Sequence, residues 1–361
     1  MLANPANFYE RTSAARKFIV VDLGFLGDTV HLVPALWELK QNYPAAALHV
    51  LTTPVGAQVL QLAPCVQLAW AIELDPAKRT LRQQWQILRE LRRERFDVAF
   101  NFSGADRTVF MTALTGARWR LGHAAGRWHF WNSWLVPTWV ARRDPDLIVF
   151  EQRRQVLAAC GLKLGAPRFD LKIDEAAARW AAGIVPPFAI HISPNSSKAT
   201  REWSSEHHVA LLRAVWAEQP ELRVMISGSA RPRERERLQA LVAAVSDPRL
   251  QLLPENLSVP QLAAMLARCR LHIGPDSGVL HLAMALDVPT ISFFRQQGNY
   301  KAFMPVGARH RVISMPCRCV DHHDAPCELT GRGECFAQIE PARVAALVRE
   351  QLRESAGGVL K

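Results

Sequence analysis

No apolar run in the chain approaches the ~20 residues that a membrane-crossing helix needs, which excludes an integral helical membrane protein. The first 16 residues are polar and hold no hydrophobic stretch, so no secretory leader is expected and a cytoplasmic location is. Internal repeats and low-complexity tracts are absent, which leaves out solenoids and long disordered linkers. The Gly-x-Gly-x-x-Gly spacing of a dinucleotide site is missing, and so is the Cys-x-x-Cys pair of a zinc finger. Cysteine is scarce and odd in number, at seven, and Cys65, Cys160 and Cys269 lie in or beside apolar stretches. They are expected to be buried small hydrophobes in a reducing compartment. Acid is also short: 44 Lys and Arg face 33 Asp and Glu, a formal charge of +11, which favours anionic partners.

What is present is ordinary for a soluble α/β protein. Of 361 residues, 49% are hydrophobic and 21% charged, enough chain for two domains with separate cores. Short apolar runs alternate with amphipathic segments, the pattern of a parallel sheet buried on both faces. Strands are expected at 17–24, 48–53, 68–74 and 96–102, and helices at 28–42, 55–63, 80–95, 105–115 and 148–161. The stretch 118–143 breaks the alternation and holds five of the eleven tryptophans. Three glycines, three prolines and a charged helix near 174–182 mark a domain connection between 161 and 187. Alternation then restarts, with strands at 188–193, 222–227, 249–253, 271–274 and 289–294. Helices between them fall at 204–218, 231–245, 258–268 and 277–286. A Cys-rich loop follows, and a closing helix at 340–353 that can pack back on the first domain. The fold class expected is therefore α/β, two doubly wound, Rossmann-like domains facing a cleft, divided as 1–170 and 171–361.

Three segments carry chemistry. Gly24-Phe-Leu-Gly27-Asp28-Thr-Val-His31 leaves a strand and opens a helix. There Asp28 either caps the helix and complements its dipole or offers a carboxylate to a ligand. His31 lies one turn further on, either packed in the helix or hydrogen-bonded near Asp28. The second segment, Ser193-Pro-Asn-Ser196-Ser-Lys198-Ala-Thr-Arg201-Glu-Trp203, is a small-polar loop with two cations. It suits a pyrophosphate, although a solvated loop would look the same. In the third, Gly274-Pro-Asp276-Ser277-Gly278-Val-Leu-His281, a strand breaks into a helix whose N-terminal N–H groups could hold a phosphate. An ordinary helix cap is the alternative.

Together, in this order and over residues 17–355, these motifs resemble the ADP-heptose:lipopolysaccharide heptosyltransferases of glycosyltransferase family 9. The resemblance implies a GT-B fold, an acceptor-binding first domain and a donor-binding second domain. It implies inverting transfer of heptose from ADP-heptose to a lipopolysaccharide inner-core acceptor, with chemistry that requires no metal or other cofactor. By position, Asp28 corresponds to the general base, and Gly27, His31, Arg118 and Arg120 are expected around the acceptor. Ser193, Ser196, Lys198, Arg201, Asp276, Ser277, Gly278 and His281 are expected around the donor. Two segments depart from the pattern. No acid follows strand 222–227 until Glu234, and Arg295-Gln-Gln-Gly-Asn299 replaces the Gly-Pro-Thr-Asp-Pro that many relatives carry. Another nucleotide sugar, or a protein or different glycan acceptor, is the alternative within this family.

Cys317, Cys319, Cys327 and Cys335 lie within nineteen residues and could hold a structural zinc or iron tetrahedrally, or remain free thiols. The segment 81–95 places arginines on one helical face and apolar residues on the other. It reads as a sheet-packing helix or as a contact with anionic lipid at the inner membrane, where the protein would be peripheral. Nucleic acid is not expected as a partner, because the basic residues are spread along the chain without a recognition motif.

Overall fold

Lys17–Val21, strand β1, shows how the first sheet is built. Phe18 and Val20 enter one apolar core, Ile19 and Val21 another, so the strand reads as a continuous hydrophobic run. The computed structural model describes residues 4–78, 80–123, 130–140, 144, 146–317 and 334–357. Contacts divide the chain into two units, Met1–Lys172 and Ile173–Lys361.

Unit 1 runs α1 (Phe8–Thr12), β1, α2 (Leu26–Asn42), β2 (Ala47–Thr52), α3 (Pro54–Leu60), β3 (Leu68–Ala71) and α4 (Leu81–Arg93). It continues through β4 (Val98–Asn101), α5 (Asp106–Leu114), β5 (Trp119–His123), α6 (Phe130–Leu135), β6 (Thr138–Val140) and α7 (Val149–Ala159). The six strands are parallel in the order β3-β2-β1-β4-β5-β6. Residues of α2, α3 and α7 close one face of the sheet; Ile87, Leu88 and Leu91 of α4 and Met111 of α5 close the other.

Unit 2 runs α8 (Glu175–Ile184), β7 (Ala189–Ile192), α9 (Ser205–Glu218), β8 (Arg223–Ile226), α10 (Pro232–Val245), β9 (Leu250–Leu252) and α11 (Val259–Arg268). It ends with β10 (His272–Pro275), α12 (Gly278–Ala285), β11 (Thr290–Gln296), β12 (His310–Pro316), α13 (Glu334–Ala337) and α14 (Pro341–Gly357). Its six parallel strands follow the order β12-β11-β10-β7-β8-β9. Counted from the first strand of each unit, both sheets have the same doubly wound order, and the α/β class expected from the sequence is what folds. Val344, Val348 and Leu352 of α14 enter the core of unit 2, beside Leu211 and Val215 of α9.

Three strands were not legible. The tryptophan-rich stretch supplies β5 and β6 and is part of the sheet, although Trp, Arg, Gly and His replace the Val/Ile run of its neighbours. Gly122 is required there, since a Cβ would lie 2.8 Å from Cζ3 of Trp139, whose ring crosses the strand. The segment expected as loop after β11 includes β12, a seven-residue edge strand in register with Thr290–Gln296. An edge strand is covered on few sides, and only Ile313 of β12 is fully buried, so its apolar signal is weak.

Candidate active site

In unit 2 the strand order reverses between β7 and β10, so the loops leaving them diverge at the carboxyl ends of the strands. The β7 loop brings Ser193, Ser196, Lys198 and Arg201; the end of β10 brings Asp276 and Ser277. Arg201 Nη1 lies 2.9 Å from Asp276 Oδ2. The Ser196 hydroxyl donates to the Asp276 carbonyl at 3.3 Å, and His281 Nε2 lies 3.4 Å from Asp276 Oδ1. Ser277 caps α12, its hydroxyl accepting from the Leu280 N–H at 3.5 Å. That leaves the N–H groups of Gly278 and Val279 without an acceptor inside the helix. Two loops far apart in sequence thus place a cation, hydroxyls and a helix N-terminus together, a combination suited to a phosphate.

Residues that sequence reasoning passed over hold this arrangement. The Glu202 carboxylate accepts from the Ser196 N–H at 2.8 Å and pairs with Arg233 at 2.8 Å and Arg237 at 3.0 Å. Arg233 also donates to the Ser196 carbonyl and Arg237 to the Pro194 carbonyl, both at 2.8 Å. Arg233 and Arg237 are four residues apart and so share one face of α10. That spacing was readable, but not what the face would meet. Trp203 is fully buried, and its Nε1–H donates to the Ile339 carbonyl at 3.1 Å, which fixes the end of the loop.

The acid missing after β8 arrives from the next helix. Glu234, in the first turn of α10, is buried and accepts from the Ser229 hydroxyl at 2.8 Å and the Ser229 N–H at 3.2 Å. A carboxylate therefore stands at the carboxyl end of the second strand of the unit, where doubly wound folds hold a ribose. Within the sheet, His191 and His272 meet Nδ1 to Nδ1 at 2.9 Å, and His191 Nε2 meets the Ser227 hydroxyl at 2.8 Å. Burial pushes His272 down to about 3, and burial together with the neighbouring ring holds His191 well below the usual imidazole range.

In unit 1 the order reverses between β1 and β4. Asp28 Oδ2 accepts the Phe25 N–H at 3.0 Å, so its carboxylate closes the first turn of α2. Phe25 offers no side-chain acceptor in return, so this is half of a capping box. Gly24 is obligatory, since a Cβ there would sit 2.4 Å from Asp28 Cβ. Beneath it, the buried Asp22 carboxylate accepts the Gly24 N–H at 2.9 Å and pairs with Arg153 of α7 at 2.9 Å. Arg153 also donates to the backbone carbonyl of Asp28. Across the reversal, Asn101 Oδ1 accepts the N–H groups of Ser103 and Gly104 at 3.0 and 3.2 Å.

The residues expected around the acceptor lie at different levels of the sheet. Gly27 is buried in the first turn of α2 beside it. His31 is fully buried and stacked on Phe150 with centroids 6.1 Å apart, so it packs the α2–α7 contact. Arg118 and Arg120 do not reach Asp28. The strands are parallel and Arg120 stands level with Ile19 through Ala99, so both arginines lie toward the amino ends while Asp28 follows the carboxyl end of β1. Arg120 instead donates to the carbonyls of Leu135 and Ala117, at 2.7 and 2.8 Å.

Of the four-cysteine set, Cys319 and Cys327 lie outside the described residues, as do Arg127 and Trp128 of the tryptophan-rich stretch. Cys317 is buried and accepts from Arg295 Nη2 at 3.0 Å, while burial pushes the Cys335 thiol up. Among the described residues no group of three or more His, Cys, Asp or Glu is placed to hold a metal. Arg295 is itself buried, and its Nε and Nη1 have no hydrogen-bond partner among the described residues. The buried Arg295 guanidinium would offset thiolate charge at Cys317, while burial favours the neutral thiol at Cys335.

Comparison with known proteins agrees with this architecture. Residues 84–331 match the model of glycosyltransferase family 9 (heptosyltransferase). The lipopolysaccharide core heptosyltransferase OpsX of Haemophilus influenzae is 23% identical over 296 residues, covering 78% of this chain and 80% of that protein. The structure of ADP-heptose lipopolysaccharide heptosyltransferase II of Escherichia coli superposes with a TM-score of 0.75 at 19% identity, covering 94% of this chain and 99% of that one. Heptosyltransferase WaaC of E. coli with ADP gives 0.74 at 17% identity, covering 93% and 99%. The chain belongs to glycosyltransferase family 9, the heptosyltransferases, and is a glycosyltransferase of the GT-B fold.

Proposed function

We propose that the protein transfers heptose from ADP-heptose to an acceptor in the lipopolysaccharide inner core, with inversion and with Asp28 as general base. The observation that carries the donor half is the convergence of Ser196, Arg201 and Asp276 at the N-terminus of α12. The acceptor hydroxyl gives its proton to the Asp28 carboxylate as its oxygen bonds to the anomeric carbon. The bond from that carbon to the diphosphate oxygen breaks in the same displacement, and ADP leaves. Arg201, Lys198 and the free N–H groups of α12 meet the charge that develops on the diphosphate. Asp276 and His281 border the same place and would orient the sugar. Glu234 offers an acceptor for the ribose hydroxyls, which supports ADP despite the missing acid after β8; the Arg295–Asn299 departure bears on the sugar.

A lipid-linked acceptor would bring the protein from the cytoplasm to the inner membrane as a peripheral enzyme. No helix among the described residues is long and apolar enough to cross a bilayer. The cysteines, if they bind zinc or iron, do so structurally, and no step of the transfer runs through that metal. Nucleotide choice is tested by thermal shift with ADP, UDP and GDP, since a ligand of the native state raises its melting temperature. ADP should give the largest shift, and ADP-heptose should then support transfer. A larger shift with UDP or GDP would replace the donor and favour a different sugar carried by the same loops.

A further inference from the structure

The geometry points to a membrane-docking face on unit 1, formed by α4, α5 and α6, that binds anionic bilayers through arginines surrounding exposed aromatic anchors. Seven large apolar side chains are exposed among the described residues, and four of them lie on these three consecutive helices. Trp85 of α4 is 72% exposed and Trp134 of α6 is 81% exposed; Phe110 and Leu114 of α5 lie between them in sequence. A tryptophan with most of its surface in water contributes nothing to the core, and its amphipathic ring suits the headgroup level of a bilayer.

These anchors share one side of the unit. Ile87, Leu88 and Met111 pack on the same core, so α4 and α5 cover the same face of the sheet, and Phe110 stacks on Trp131 of α6 with centroids 6.5 Å apart. On α4, Arg82, Trp85, Arg89 and Arg92 recur at the three- and four-residue spacing of one exposed helical stripe. Arg107 and Phe110 repeat the pattern on α5. The nearby acids are engaged: Glu90 accepts from Gln86 at 3.1 Å, and Glu94 pairs with Lys17. Asp106 sits in the first turn of α5, where it complements the helix dipole. An amphipathic helix that presents arginines and a tryptophan outward, while its apolar face is already occupied, fits lipid headgroups by charge. This face is separate from the residues assigned to transfer and stands whether or not Asp28 is the base.

The test is co-sedimentation of the full chain with vesicles of phosphatidylcholine alone and of phosphatidylcholine with an equal part of phosphatidylglycerol. Binding is expected only to the second, and weaker at about 0.15 M salt than at a tenth of that, because screening shortens the reach of the arginines. An arginine near such a surface is worth about fivefold in partitioning, so R82E/R89E/R92E should lower binding by at least about 100-fold. W85S and W134S should each weaken it about tenfold, with the ADP thermal shift of every variant unchanged. Three results would overturn the proposal: no binding of the wild-type chain to anionic vesicles, equal binding by the charge-reversed variant, or a dimer that these substitutions convert to monomer. The last would make the face an interface between copies of the chain.

Discussion

At the scale of single residues, Asp28, half-buried in the first turn of α2, holds the Phe25 N–H and is also the proposed base. Removing the carboxylate therefore costs a cap, about 1 kcal/mol of stability, as well as the proposed base. D28A is expected to fold and to give the wild-type ADP shift while losing transfer by at least ~100-fold. D28N should restore part of the stability and none of the rate; near-normal turnover in either variant would remove Asp28 from the mechanism. Arg201 is the cation proposed for the donor diphosphate. R201A should raise the donor KM by roughly tenfold or more, whereas R201K keeps the charge but loses the fork, and should fall between. His31 was read from its nearness to Asp28 in sequence, and Arg118 and Arg120 from their charge in the tryptophan-rich stretch; an internal stack and the parallel run of the strands decide where those side chains sit.

At the scale of elements, the β7 loop is ordered by a helix that sequence reading treated as ordinary. Glu202 is almost wholly buried between Arg233 and Arg237, and losing one partner of such a cluster leaves the others uncompensated. E202Q is expected to destabilise unit 2 by on the order of 3 kcal/mol. It should also raise the donor KM more than it lowers kcat, because it loosens the loop proposed to hold the diphosphate. A purely structural role would lower the melting temperature and leave that ratio unchanged. Most elements were legible because their apolar runs sit under two covered faces. The three missed strands are those in which tryptophan fills the space of aliphatic side chains, or in which one side faces water. The Arg233–Arg237 face shows the same limit: a helical spacing is visible in one dimension, while its partner, 31 residues before Arg233, is not.

For the molecule as a whole, pH is the informative variable. His191, His208 and His272 are buried and neutral, His208 also pushed down to about 3 by burial. Between the unfolded value near 6.5 and that depressed value, the unfolded chain binds protons that the folded chain refuses. Stability is thus fully present above about pH 6.5 and drains as pH falls, by up to about 1.4 kcal/mol per pH unit for each group. The protection of amides in β7 and β10, measured against their intrinsic exchange rates, should fall steeply as pH drops from 6.5 to 5. H272N should flatten that slope; an unchanged slope would show that the pair does not titrate in this way. The doubling of one strand order across two units was legible as a restart of alternation after residue 187. The histidine pair was not, because adjacency of β7 and β10 exists only once the sheet reverses.

Arg201 already has a counter-ion in Asp276. On the proposed donor reading, a diphosphate reaching α12 would exchange one anionic neighbour for another, rather than fall into a bare well of positive potential. Capture at this spot would then be governed by fit at short range, and the donor association rate should change little with ionic strength, despite the net charge of +11 on the chain.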